Sequence, residues 1–144
     1  MKSVDQILQE KGYKTWSVIP KMPVFEALKI MADNNIGSLI VQEGDKLVGI
    51  MSERDYARKV ILKGKSSKDT PVEEIMSTHV ICVGPEHSIE DCMALMTDKR
   101  VRHLPVLEND KLVGVISIGD VVKAIISEQD IMIEHLEHYI MGVP

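Results

Sequence analysis

Asp45-Lys46-Leu47-Val48-Gly49 returns later in the chain as Asp110-Lys111-Leu112-Val113-Gly114. A serine and an aspartate follow at matching places, Ser52 and Asp55 in the first copy, Ser117 and Asp120 in the second. Working outward from these blocks, residues 18–55 align with residues 83–120 without a gap at a constant offset of 65, and 14 of the 38 positions are identical. The chain therefore holds two copies of one supersecondary unit. Neither copy is long enough to bury a core alone, so the two must pack on each other.

The 144 residues suit one compact domain. Aromatic residues make up only 3%, so the core must be aliphatic. A net charge of -5 spread along the chain argues against a nucleic-acid binder, which needs a basic face. No apolar run approaches the ~20 residues that span a bilayer, and the amino terminus lacks the apolar stretch of a signal peptide. No membrane or nucleic-acid partner is expected, and a cytoplasmic location is. Cys82 and Cys92 do not form a CxxC pair and read as small core residues in a reducing compartment.

Each copy follows one order. A short helix signal, Val4-Asp5-Gln6-Ile7-Leu8, is answered by Val72-Glu73-Glu74-Ile75-Met76 at an offset of 68. The extra residues fall in the polar connector near Gly64, which can close the preceding helix. A β run over 15–18 matches one over 80–83. A helix follows, with Val24, Ala27, Leu28 and Met31 on one face, and Ile89, Cys92, Met93 and Met96 in the second copy. Ser88 with Asp91 reads as a capping box, and Pro23 suits a first helical turn. Strands over 38–42 and 46–51, then 103–107 and 111–116, form two hairpins. Pro105 cannot donate to a ladder, which places its strand at an edge or a bulge. Closing helices are predicted from Ser52 to Lys63 and from Ser117 towards Met141, the second open to a break at Ser127-Glu128-Gln129-Asp130.

The phrases Val48-Gly49-Ile50-Met51-Ser52-Glu53-Arg54-Asp55 and Val113-Gly114-Val115-Ile116-Ser117-Ile118-Gly119-Asp120 each fit a glycine-apolar-x-Ser/Thr-x-x-Asp motif. Arg102-His103-Leu104-Pro105-Val106 fits a strand signature of the same family. On these residues nearly the whole chain resembles a tandem pair of cystathionine-β-synthase (CBS) domains, and among them the small stand-alone members. The resemblance implies an α/β fold of the α+β type. Two β-α-β-β-α repeats, at residues 1–66 and 67–144, would pack with pseudo-twofold symmetry into one module, the second with a C-terminal helical extension. It implies a binding module without catalysis and with no required cofactor. Such pairs commonly hold AMP, ADP, ATP, NAD or S-adenosylmethionine between the repeats and associate as homodimers. The protein target stays unknown.

Asp55 and Asp120, with Ser52 and Ser117, open a helix after a strand, where a carboxylate can accept from both ribose hydroxyls and nearby N–H groups suit phosphate. A plain Ser-x-x-Asp cap is the alternative, and the two roles can coexist. Arg54 and Arg58 suit a phosphate; otherwise they and Lys59 pair with Glu53 and Asp55 on a solvated face. In the family, the place held by Arg102 and His103 can point across the pseudo-twofold axis towards phosphate. That would put them with Asp55, and put Gly37 and Ser38 with Asp120. A locally bonded strand-end histidine is the other reading of His103. The resemblance implies an adenine pocket lined by Val18, Ile36, Gly37, Ser38, Val83 and Val101, with backbone groups of Thr15, Ser17 and Ile81 reading the base. Trp16 reads as packing, with stacking on a base as the alternative.

Other motifs fail. Gly64-Lys65-Ser66 lacks the first glycine of a phosphate loop, because position 59 is Lys59. His135 and His138 have too few converging partners for a metal. No catalytic grouping emerges. The functional expectation is a regulatory adenine-nucleotide sensor of energy or metabolite state. The alternative is a ligand-free dimerisation scaffold that keeps the fold.

Overall fold

The computed structural model describes residues 2–141; residue 1 and residues 142–144, at the outer ends of the two expected repeats, lie outside the described residues. In chain order the elements are α1 (Val4–Lys11), β1 (Ser17–Val18), α2 (Val24–Asn34), β2 (Ser38–Glu43), β3 (Lys46–Ser52), α3 (Glu53–Tyr56), a π-helical turn (Ala57–Ile61), a 3-10 turn (Val72–Glu74), α4 (Ile89–Lys99), β4 (His103–Glu108), β5 (Lys111–Ser117) and α5 (Ile118–Met141). This is the expected α+β class. The described residues divide into two compact units, one formed by residues 14–81 with 109–112, the other by residues 2–13, 82–108 and 113–141.

In the unit of residues 14–81, α2 buries Val24, Ala27 and Met31 at helical spacing. Pro23 is its N-cap rather than its first helical residue, and Asn35 ends it in the left-handed conformation at φ 53°. β1 runs parallel to β2, and β2 antiparallel to β3, with Ser38 opposite Ser52 and a register shift at Val41/Gln42. The inner faces of the sheet and α2 meet around Leu39, Val41, Met51, Val60 and Ile75. The closing helix is shorter than predicted. Four α residues give way to a π turn, in which Leu62 N–H reaches Ala57 O at 3.1 Å, and Gly64 then terminates it at φ 67°.

In the other unit, α4 starts with the predicted Ser88–Asp91 capping box and buries Ile89, Cys92 and Met96. β4 and β5 form a hairpin whose turn residues Asn109 and Asp110, both at positive φ, are grouped with residues 14–81. α5 is unbroken over 24 residues. Ser127 and Asp130 do not interrupt it, since each costs a helix only a few tenths of a kcal/mol and no Gly or Pro stands beside them. Burial and the charge of Asp91 push the Cys92 thiol up to about 11, which fits an inert core residue.

The leading segments explain the repeated glycines. α1 joins the unit of α4 and β5: Val4 N–H donates to His87 O at 2.8 Å, and Ser3 bridges Ser88. Its counterpart joins the unit of α2 and β3: Val24 N–H donates to Thr70 O at 2.8 Å, and Pro23 bridges Pro71. Leu8 and Met76, equivalent at the offset of 68, then lie on equivalent glycines. A Cβ on Gly114 would stand 2.7 Å from Leu8 Cδ2, and one on Gly49 2.6 Å from Met76 Sδ. At Gly49 the leading segment also brings main chain close, with Ser77 O 2.9 Å from that carbon, whereas at Gly114 the nearest atoms belong to the Leu8 side chain.

One predicted strand is missing. Residues 80–83 contribute only an isolated parallel bridge, Val83 to Val106. In the first copy Ile40 N–H donates to Trp16 O at 3.2 Å. Pro105 holds the place of Ile40 and Ile81 that of Trp16, so the second copy has no N–H to make this bond.

Candidate functional site

Each predicted carboxylate sits in the first turn of the helix after a hairpin. At the first, Asp55 Oδ2 accepts from Ser52 N–H at 3.0 Å and from the Ser52 hydroxyl at 3.1 Å, while Asp55 N–H returns to Ser52 Oγ at 3.1 Å. The cap role is thus present in full. Asp55 Oδ1 faces Lys59 Nζ at 3.4 Å, and that ammonium also donates to Ile75 O at 3.0 Å. Arg54 and Arg58 are exposed and make no ion pair among the described residues, so only Lys59 of the three pairs as a solvated face would require.

At the second, Ser117 N–H donates to Asp120 Oδ2 at 2.8 Å and Asp120 N–H to Ser117 Oγ at 3.1 Å. Lys11 Nζ, from the end of α1, reaches the same Oδ2 at 2.6 Å and Val115 O at 2.9 Å. Burial alone would raise the Asp120 carboxyl, but the hydrogen bond and charge of Lys11, with the Ser117 donors, hold it below the usual 3.8. His103 is pushed below the ordinary 6.5, first by burial, then by Lys11 and Arg102 against the opposing Asp120. Lys11, Arg102 and Asp120 belong to the same unit as His103.

The local backbone sets these positions. Glu53 N–H donates to Gly37 O at 3.0 Å, and Ile118 N–H to Arg102 O at 2.8 Å. Gly37 and Ser38 thus lie beside the Ser52–Asp55 corner, and Arg102 and His103 beside the Ser117–Asp120 corner. At each helix start two first-turn N–H groups are already engaged, one by this carbonyl and one by the serine.

Among the adenine-pocket candidates, Val18 and Val83 are core residues, 4% and 3% exposed. Ile36 and Val101 are half-buried and follow the left-handed residues Asn35 and Arg100. β1 is an edge strand whose Trp16 carbonyl faces β2, so by alternation the backbone groups of Thr15 and Ser17 face the open edge. Ile81 corresponds to Trp16 and lies in a segment without strand structure. Trp16, expected to pack, is 37% exposed, with Lys14 Nζ 4.4 Å from the ring centroid. Lys11 was missed. No local pattern marks a lysine 109 residues from its partner. Among the described residues no group of three or more His, Cys, Asp or Glu side chains could hold a metal ion.

Residues 15–62 and 72–133 match the CBS domain family. The mitochondrial CBS domain-containing protein CBSX3 of Arabidopsis thaliana is 44% identical over 124 residues, which cover 83% of this chain and 60% of that protein. A putative signal-transduction protein with CBS domains from Burkholderia ambifaria is 51% identical, with a TM-score of 0.85 over 89% of this chain and 96% of that one. The CBS domain pair of protein MJ0100, solved in complex with 5′-methylthioadenosine and S-adenosyl-L-methionine, is 25% identical, with a TM-score of 0.75 over 86% of this chain and 99% of that one.

Proposed function

The chain belongs to the CBS family as a CBS-domain pair, a regulatory module, and on that premise we propose that it binds an adenosine-containing ligand and reports its level without catalysis of its own. The observation that carries this reading is the repeated Ser-x-x-Asp corner. In each copy the cap holds one carboxylate oxygen, Oδ2, and so fixes the direction of the other. A carboxylate fixed in this way suits a ribose diol. Arg54 and Arg58 in one unit, and Arg102 and His103 in the other, supply cationic or donor groups for phosphate. AMP, ADP, ATP, NAD and S-adenosylmethionine all fit this chemistry. The adenosine ligands bound by the MJ0100 pair support the class.

A ligand shifts a conformational equilibrium only as far as it binds the two states unequally. α5 is the natural output element. It carries Asp120 in its first turn and runs 24 residues to Met141, about 36 Å at 1.5 Å per residue. Its exposed Val122, Ile126, Ile133, Leu136 and Ile140, with Gln129 between, follow the alternating three- and four-residue spacing of a coiled-coil seam. The homodimer belongs to the same proposal, with α5 contributing to the contact.

Isothermal titration with AMP, ATP, NAD and S-adenosylmethionine is the direct test. Asp55→Ala and Asp120→Ala should each abolish or weaken one class of site by about 2–4 kcal/mol while the protein stays folded. Unchanged affinity in both variants removes the ribose assignment. No binding of any of the four leaves the ligand-free dimerisation scaffold as the function.

A further inference from the structure

Asp55 and Asp120 hold the same place in the repeat, yet the lysines facing them come from different parts of the chain. Lys59 lies four residues further along from Asp55. Lys11 lies 109 residues from Asp120, at the end of α1. Neither ammonium hangs on its carboxylate alone. Lys59 is anchored by Ile75 O at 3.0 Å, and Lys11 by Val115 O at 2.9 Å. Neutralising a charge needs no second anchor; a carbonyl ligand fixes the direction in which the remaining N–H bonds point.

Lys11 makes the closer contact, 2.6 Å against 3.4 Å. An ammonium has three donors. Two go to Val115 O and Asp120 Oδ2, and the side chain is 35% exposed, so the third can face solvent. Asp120 Oδ2 is taken by Ser117 N–H and Lys11, whereas Asp120 Oδ1 has no protein donor among the described residues. The corner thus offers one anchored donor and one fixed acceptor side by side. Vicinal hydroxyls meet both: one donates to Oδ1 and its neighbour accepts from the ammonium.

We infer that Lys11 and Asp120 form a donor–acceptor clamp for a vicinal ribose diol, which makes Lys11 a ligand-contacting residue that selects for the intact diol. This rests on the reading that Asp120 takes a ribose. A site built on both hydroxyls rejects an analogue lacking one, because a polar group of the site is then left unpaired.

The test uses the full chain carrying Asp55→Ala, so that only the Asp120 site reports. Dissociation constants are measured by titration calorimetry for AMP, 2′-deoxy-AMP and 3′-deoxy-AMP, and for the same three sugars without phosphate. In Lys11→Met, discrimination against one of the two deoxy sugars should fall about tenfold, with and without phosphate. Lys11→Arg should keep most of it. Should the methionine variant unfold, Lys11→Gln serves in its place and should lose a smaller part of the same ratio. Uniform weakening with both ratios unchanged overturns the clamp and leaves Lys11 a structural ion pair. A parent that binds no riboside overturns the ribose reading of Asp120 itself and the clamp with it, an outcome distinct from unchanged ratios.

Discussion

A methyl group at position 49 meets a different wall from one at position 114. At Gly49 the added carbon would stand 2.9 Å from the Ser77 carbonyl as well as 2.6 Å from Met76 Sδ, whereas at Gly114 the three nearest atoms all belong to the Leu8 side chain. A leucine tip can rotate and main chain cannot, so Gly49→Ala should cost about 1–3 kcal/mol and Gly114→Ala distinctly less. Urea midpoints of the two variants check the order. His103 gives a pH signature. Burial, Lys11 and Arg102 hold its ring below 6.5, while Asp120 opposes them. Below about pH 6.5 the unfolded chain therefore binds more protons than the folded one, and stability falls as pH drops through that range. His103→Gln should shrink the loss measured between about pH 7.5 and 5.5, and an equal loss in both proteins would show that another group titrates. At this scale the sequence reveals local chemistry and hides the rest. Ser52–Asp55 and Ser88–Asp91 are legible because a cap joins residues three apart. Lys11 is not, because nothing in its neighbourhood names Val115 or Asp120.

Among elements, the repeat itself makes the failures instructive. Hairpins and the α2 and α4 faces were readable because their signals have period two or 3.6. The strand over 80–83 was predicted by analogy with residues 15–18, and the analogy breaks at a single atom, the missing Pro105 N–H. Pro105→Ile should restore it and yield a slowly exchanging amide at position 105, matching that of Ile40; fast exchange there would refute the account. α5 carries the second test. Its residues from Ile131 onward run on as helix, with Leu136 53% and Ile140 80% exposed, rather than folding back over Val122 and Ile126. Patches of this kind mark interfaces. Light scattering should find a dimer for the full chain at micromolar concentration and a weaker one for a version ending at Ser127. A monomeric full chain refutes the proposal.

At the scale of the molecule, the packing units do not follow the repeat boundaries. A fragment of residues 14–81 keeps Val72, Ile75 and Met76 against β3 and the core, whereas residues 1–66 lack them and carry an α1 with nothing to sit on. The first fragment should retain more helical and strand signal by circular dichroism and a more cooperative thermal transition than the second. Equal behaviour would mean that the leading segments add little. The offset of 68 shows that α1 and the 3-10 turn are equivalent, but equivalence does not say which partner each one takes, so this exchange could not be read in advance. It also orders events during synthesis. Leu8 leaves the ribosome long before Gly114, its seat, has been translated. At about 5–20 residues per second, the apolar face of Val4, Ile7 and Leu8 waits several seconds in the open. That interval leaves α1 without its packing partner until the rest of its unit has been made.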